Sequence, residues 1–153
     1  MKRIHLPILL LLGAFRPLAG CAADSEPSNI VRDIEFARVG ERSLKLDLHL
    51  PAGKPRMPLV VWVHGGAWRS GSKTDMPLGK LVGDGYAIAS VDYRLSMEAK
   101  FPAQVHDIKA AIRFLRAHHS GWKLPAKKIV IAGDSAGAHL AALVGVSCAG
   151  TFV

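Results

Sequence analysis

Apolar residues along this chain first alternate with polar ones, then run together, then recur every three or four positions. "IEFARV" (34–39) and "LKLDLHL" (44–50) alternate or nearly so around "GER", which predicts an antiparallel hairpin, half exposed to solvent. The turn-rich "PAGKPRMP" (51–58) breaks that pattern. "LVVWV" (59–63), "AIASV" (87–91) and "IVIAG" (129–133) are short, almost continuous apolar runs, as expected of strands buried on both faces of a parallel sheet. Between them, 101–119 reads as a helix. Val105, Ile108, Ile112 and Leu115 form its apolar stripe, while Gln104, Lys109, Arg113 and Arg116 point elsewhere. Pro102 suits the first turn, where no amide donor is needed. A less regular helix is predicted over about 74–82 and a last one over 136–146. Hairpin strands leading into strand–helix units predict an α/β fold, a mostly parallel sheet with an antiparallel N-terminal hairpin. The run 129–133 calls for a neighbour on its far side. Left uncovered, such an apolar edge favours aggregation, so a poorly soluble or partner-dependent product is expected.

Composition sharpens this at the N-terminus. "MKRIHLPILLLLGAFRPLAGC" has a basic start, an apolar run too short to span a bilayer, and then small residues, the layout of a secretory signal. Residues 1–20 are therefore expected to be a signal peptide, 21–30 a polar linker and 31–153 the folded domain. "LAGC" (18–21) resembles the lipobox of bacterial lipoproteins, which would make Cys21 a lipidated membrane attachment point. Ala22 after it would favour the outer membrane of a two-membrane bacterium. The alternative is ordinary cleavage near Ala23 and a secreted or periplasmic product. The remaining cysteine, Cys148, follows an apolar helical stretch and reads as a small buried hydrophobe.

The net charge of +8 belongs partly to the signal: without Lys2, Arg3 and Arg16 the 20 basic residues become 17 against 12 acidic ones, a net of +5. The rest are scattered, which describes a solvated surface rather than a nucleic-acid footprint. No His, Cys and carboxylate spacing points to a metal, and no cofactor is implied.

The chemistry concentrates in "IVIAGDSAGAHLAAL" (129–143). A strand, a tight turn and a helix follow in the order that lifts a serine hydroxyl above a sheet, with glycines on either side to allow the close backbone. Ser135 is the candidate nucleophile, and the helix N-terminus sets positive partial charge beside it. "VHGGAW" (63–68) follows the first apolar strand, where the second half of an oxyanion hole belongs. Gly65, Gly66 and Ala67 would form or shape that half, and the amide of Ala136 would supply the other donor.

"HGGAWRSGSK" (64–73), "VDYRLS" (91–96), "FPAQVHDIKAAIRFLRAH" (101–118) and "GDSAGAHLA" (133–141) resemble, in order and spacing, the α/β-hydrolase superfamily. The likeness is to its HGG-loop carboxylesterase branch, the hormone-sensitive-lipase-like and the carbohydrate and feruloyl esterase-like proteins. Trp68 leans toward the carbohydrate-esterase side. The resemblance implies a serine hydrolase acting on small-molecule esters, acyl groups on carbohydrates among them. A peptidase or amidase of the same fold, or a catalytically dead lipoprotein fragment, are the alternatives. In that family the acid and the histidine follow the nucleophile. The eighteen residues after Ser135 hold no Asp or Glu and a single histidine, His139, on the nucleophile's own helix. The resemblance thus implies the N-terminal part of an esterase domain, with its acid and base missing from this chain. His64 would help shape the oxyanion loop, and His106, His118 and His119 read as surface residues.

Overall fold

The computed structural model describes residues 29–53, 55–125 and 128–147. The expected signal peptide, Cys21 and Cys148 lie outside them. Five strands, β1 (Asn29–Val39), β2 (Arg42–Leu50), β3 (Arg56–Val63), β4 (Tyr86–Val91) and β5 (Ile129–Gly133), form one sheet in the order β1-β2-β4-β3-β5. β1 and β2 make the expected antiparallel hairpin, β2 joins β4 antiparallel, and β3 runs parallel to both β4 and β5. The two hairpin strands are longer than alternation alone suggests. β1 starts at Asn29, inside the stretch read as linker, and pairs it with Leu50.

The helices divide between the two faces. On one, α2 (Ala103–His118) and α3 (Ala136–Val146) cover the strands. Leu59, Val61 and Val63 of β3 and Ala87, Ala89 and Val91 of β4 meet Val105, Ile108, Leu115, Leu140 and Val144 there. This is the period-2 register of β-strands meeting the period-3.6 stripe of a helix. On the other face Val60, Trp62 and Ile88 pack under Val82 of the short α1 (Gly79–Gly83).

Burial departs from the sequence reading in three places. β2 sits inside the sheet, so Asp47 is buried (1% exposed) where a half-exposed hairpin would have put it in water. Gln104 turns inward and donates from Nε2 to the Ala99 carbonyl at 2.8 Å. β5 is only partly covered on its second face, where Ala132 packs against the Val60, Trp62, Val82 and Ile88 cluster. Among the described residues it pairs only with β3, and Val130 remains 46% exposed. Only five of the residues expected to form the first helix are helical or adjoin it, because 72–78 is tied into turns. The Ser72 amide donates to Asp75 Oδ2 (2.9 Å), and the Asp75 carbonyl is held by Trp62 Nε1 (2.7 Å). Pro102 stands just before α2 as its N-cap residue. Among the described residues no helix is long and apolar enough to cross a membrane.

Candidate active site

β5 delivers the chain to Ser135, whose φ of 48° and ψ of −118° lie where L-residues rarely go. The turn is tight because α3 starts at once: the Asp134 carbonyl accepts from the amides of Gly137 (2.8 Å) and Ala138 (3.2 Å). Gly137 permits it. A side chain there would collide with the Val63 carbonyl at the end of β3 and come within 2.5 Å of the His64 carbonyl. α3 can therefore press its first turn onto the end of the neighbouring strand, with Ser135 on top. Ser135 is exposed, and among the described residues no side chain hydrogen-bonds to its hydroxyl. Ala136 is buried (3% exposed), and its amide has no acceptor among the described residues.

The loop after β3 reaches the same place. His64 is buried, stacks flat on Tyr93 (4.4 Å between ring centroids, 12° between planes) and sets Nδ1 2.8 Å from the Gly65 carbonyl. Tyr93 Oη donates to the His64 carbonyl at 3.0 Å. Burial, with the charge of Asp134 adding to it, pushes the Tyr93 hydroxyl up to about 12, so it stays a donor. The chain then turns through Gly66, Ala67 and Trp68, all at positive φ, and the Gly66 carbonyl closes the turn by accepting from Arg69 (2.9 Å) and Ser70 (3.0 Å). Gly65 lies against the elbow, the sharp turn at Asp134 and Ser135 between β5 and α3. A Cβ there would sit 2.8 Å from Asp134 Oδ2. Farther on, the Trp68 ring meets His139 of α3 edge-on at 5.4 Å, and its carbonyl accepts from the Ser96 amide at 2.7 Å. The amides of Gly66 and Ala67, like that of Ala136, have no acceptor among the described residues.

So the loop that carries Gly65, Gly66 and Ala67 and the turn that carries Ser135 and Ala136 both lie at the ends of β3 and β5, with Gly65 against Asp134. His139 packs on Trp68, and His64 is spent on loop shape. His106, His118 and His119 are exposed, the last two turning Nδ1 onto carbonyls near the end of α2.

A family model named BD-FAE matches residues 46–152. The chain belongs to the BD-FAE family. Its fold is that of the α/β-hydrolases. A truncated carbohydrate esterase from gut microbiota superposes with a TM-score of 0.71 at 32% identity, over 81% of this chain and 45% of that one. A bacterial heroin esterase gives 0.69 at 27%, over 86% and 42%. In sequence, the arylesterase of Saccharolobus solfataricus is 32% identical over 124 residues, 79% of this chain and 40% of its own length. Esterase LipC of Mycobacterium tuberculosis is 36% identical over 93 residues, 59% and 23% respectively. Thus the chain spans between 23% and 40% of the length of these curated relatives.

Two hollows flank the elbow of this BD-FAE chain. One of about 610 Å³ opens between Gly65, Gly66 and Asp134 and the 75–77 turn. The other, about 270 Å³ and largely apolar, lies between Ala67 and Trp68 of the loop and His139 and Leu140 of α3, over Phe101 and Gln104. Among the described residues no group of three or more His, Cys, Asp or Glu is placed to hold a metal ion. The sequence alone assigns no role to the residues of "VDYRLS" (91–96). In the structure that segment braces the loop: Tyr93 and Ser96 touch it directly. Arg94 is forked onto Asp107 of α2 (Nε–Oδ2 2.8 Å, Nη2–Oδ1 2.7 Å). Arg94 and Asp107 stand thirteen residues apart, on either side of the turn before α2, so nothing in the sequence pairs the two.

Proposed function

We propose that the intact protein hydrolyses carboxylic esters through Ser135. The observation that carries this is the left-handed Ser135 set directly before the buried, acceptor-free amide of Ala136. Its similarity to proteins named esterases supports the ester as the substrate class. The hydroxyl oxygen attacks the ester carbonyl carbon, and its proton passes to a histidine. The carbonyl oxygen becomes an oxyanion that accepts from Ala136 N–H and from Ala67 or Gly66 N–H, each such donor worth about 10²–10³ in rate. Collapse of the tetrahedral intermediate expels the alkoxide, which takes the proton from the histidine, and water then repeats the sequence on the acyl-serine. The histidine and the acid that orients it come, in this reading, from outside these 153 residues. The apolar 270 Å³ hollow takes one arm of the ester.

The test is to treat the intact protein with a serine-directed fluorophosphonate and to assay a panel of esters and amides. Labelling that disappears in Ser135→Ala, with ester turnover, is expected. Amide turnover without ester turnover would overturn the substrate class. Absence of labelling would overturn the nucleophile.

A further inference from the structure

Among the described residues five non-glycine positions have a left-handed φ. Ser135, Ala67 and Trp68 belong to the site, and Lys123 closes a short 3-10 turn. The fifth, Asp33 (φ 58°), lies on β1, where the register against β2 slips between Val31 and Ile34. Such conformations persist only where the surroundings dictate them. Here the bulge turns the Asp33 amide onto Asp47 Oδ1 (2.8 Å) and brings its carboxylate within 3.3 Å of Lys73 Nζ. Lys73 Nζ is also 2.9 Å from Asp47 Oδ1. Lys45 (3.8 Å from Asp33) and Arg32 (3.5 Å from Asp47) complete the cluster.

Lys73 is 8% exposed and Asp47 1%. A buried ion pair is costly to form, and replacing both partners with apolar side chains is often neutral, so the role read for the pair here is to fix a geometry. Lys73 is the last residue of the "HGGAWRSGSK" loop. Its amide is itself bound, to Asp92 Oδ1 at 2.7 Å. The exit of the loop is thereby held at two points, by main chain to the end of β4 and by side chain to the β1–β2 hairpin. The entry is held by the His64–Tyr93 stack.

We propose that Lys73 is a positioning residue for the oxyanion hole: its ammonium, gripped by Asp47 and Asp33, fixes the exit of loop 64–73 so that the Gly66 and Ala67 amides face the oxyanion formed on Ser135. This rests on the ester-hydrolase reading above. The test compares Lys73→Met, Lys73→Arg and, should Lys73→Met fail to fold, Asp33→Asn, in the intact protein. Amide hydrogen exchange is one readout. The Arg69 and Ser70 amides, which donate to the Gly66 carbonyl, should exchange about tenfold faster in Lys73→Met, while amides of β3 and β4 change less. Turnover per phosphonate-titrated serine is the other. It should fall about tenfold with KM held within about twofold, and Lys73→Arg should restore most of it. Asp33→Asn should move both readouts the same way by a smaller factor. Loop amides unchanged, or accelerated only in step with the central strands, would overturn the proposal, as would unchanged turnover per titrated serine. If the wild type titrates no serine, the nucleophile reading and the oxyanion role fall together, while the exchange data alone still decide whether Lys73 holds the loop.

Discussion

Replacing Gly137 with alanine should destabilise this protein, against the ordinary rule for a glycine inside a helix. In an unconstrained helix the change gains about 1 kcal/mol. Here the new Cβ would strike the Val63 carbonyl and approach the His64 carbonyl to 2.5 Å, where ordinary contact starts at 3.4 Å. The shortfall to His64 is about 0.9 Å, and the obstacles are backbone atoms at the end of a central strand, which cannot swing aside. Overpacking costs about 1–3 kcal/mol, and two carbonyls struck at once argue for the upper end. Net of the propensity gain, a loss of about 2 kcal/mol follows, or about 4–8 °C in Tm at about 2–4 °C per kcal/mol for a chain of this length. Gly145, on the same helix, is the control. It is exposed, and a Cβ there would meet Ile131 Cγ2 at a comfortable 4.0 Å. Gly145→Ala should therefore raise Tm by up to about 4 °C. Thermal unfolding followed by far-UV circular dichroism measures both. If Gly137→Ala stabilises the fold as Gly145→Ala does, α3 does not press on β3 and the account of the elbow fails. In the folded Gly137→Ala protein, phosphonate labelling of Ser135 should slow by about 10²-fold, because the helix can only accommodate the methyl by carrying the serine away.

Two further outcomes are expected. Asp107→Asn removes the charge facing Arg94 in a pair whose side chains are 3% and 18% exposed, and should cost about 2 kcal/mol, below the range for a wholly buried pair because Arg94 partly reaches water. An unchanged urea midpoint would show that residues 92–96 are not pinned to α2 through this pair. The Lys73 cluster should also shape the pH dependence of stability. Burial opposes the charge on Lys73, but hydrogen bonds to Asp47 and Asp33 outweigh it and hold its pKa above the usual 10.5. The hydrogen bond and charge of Lys73 in turn hold Asp33 below 3.8. The Lys73 contribution is complete below 10.5 and disappears as pH rises through the raised value. That of Asp33 is complete above 3.8 and disappears as pH falls through the lowered one. Urea midpoints taken from about pH 3 to about pH 11 should thus show weaker acid and alkaline losses in Lys73→Met than in the wild type, and identical curves would refute the linkage.

How much of this was legible in the sequence depended on whether the signal was local. β5, the elbow and α3 occupy the residues that periodicity and the glycine-flanked serine predict, since strand, turn and helix are each dictated by adjacent residues. The α2 stripe is buried as expected. The failures share a cause. Alternation marks Asp47 as an outward residue of an amphipathic strand, and nothing near it says that β2 will lie inside the sheet with a lysine from beyond the next strand paired to it. Gln104 and Asp107 sit on the polar side of the α2 pattern, yet both are buried, and their hydrogen bonds to Ala99 and Arg94 are not written in the helical period. The first helix is shorter than expected because Asp75, an ordinary helix residue by composition, is drawn off by Ser72 and Trp62.

The same distinction explains why motif residues alone do not make this site. Ser135, Gly65 and Gly66 can be read directly, but each holds its conformation through contacts to residues the motif does not include. α3 stands on the carbonyls of Val63 and His64, Gly65 on Asp134, and the loop between Tyr93 and Lys73. Strained backbone is retained only while its surroundings over-determine it. Reactivity at Ser135 should accordingly be more sensitive to Tyr93, Asp107 and Lys73, none of which touches the serine, than to the exposed histidines His106, His118 and His119. The ranking that fold geometry sets here runs through buried contacts to the ends of β3 and β4, and nearness to Ser135 in the sequence is a poor guide to it.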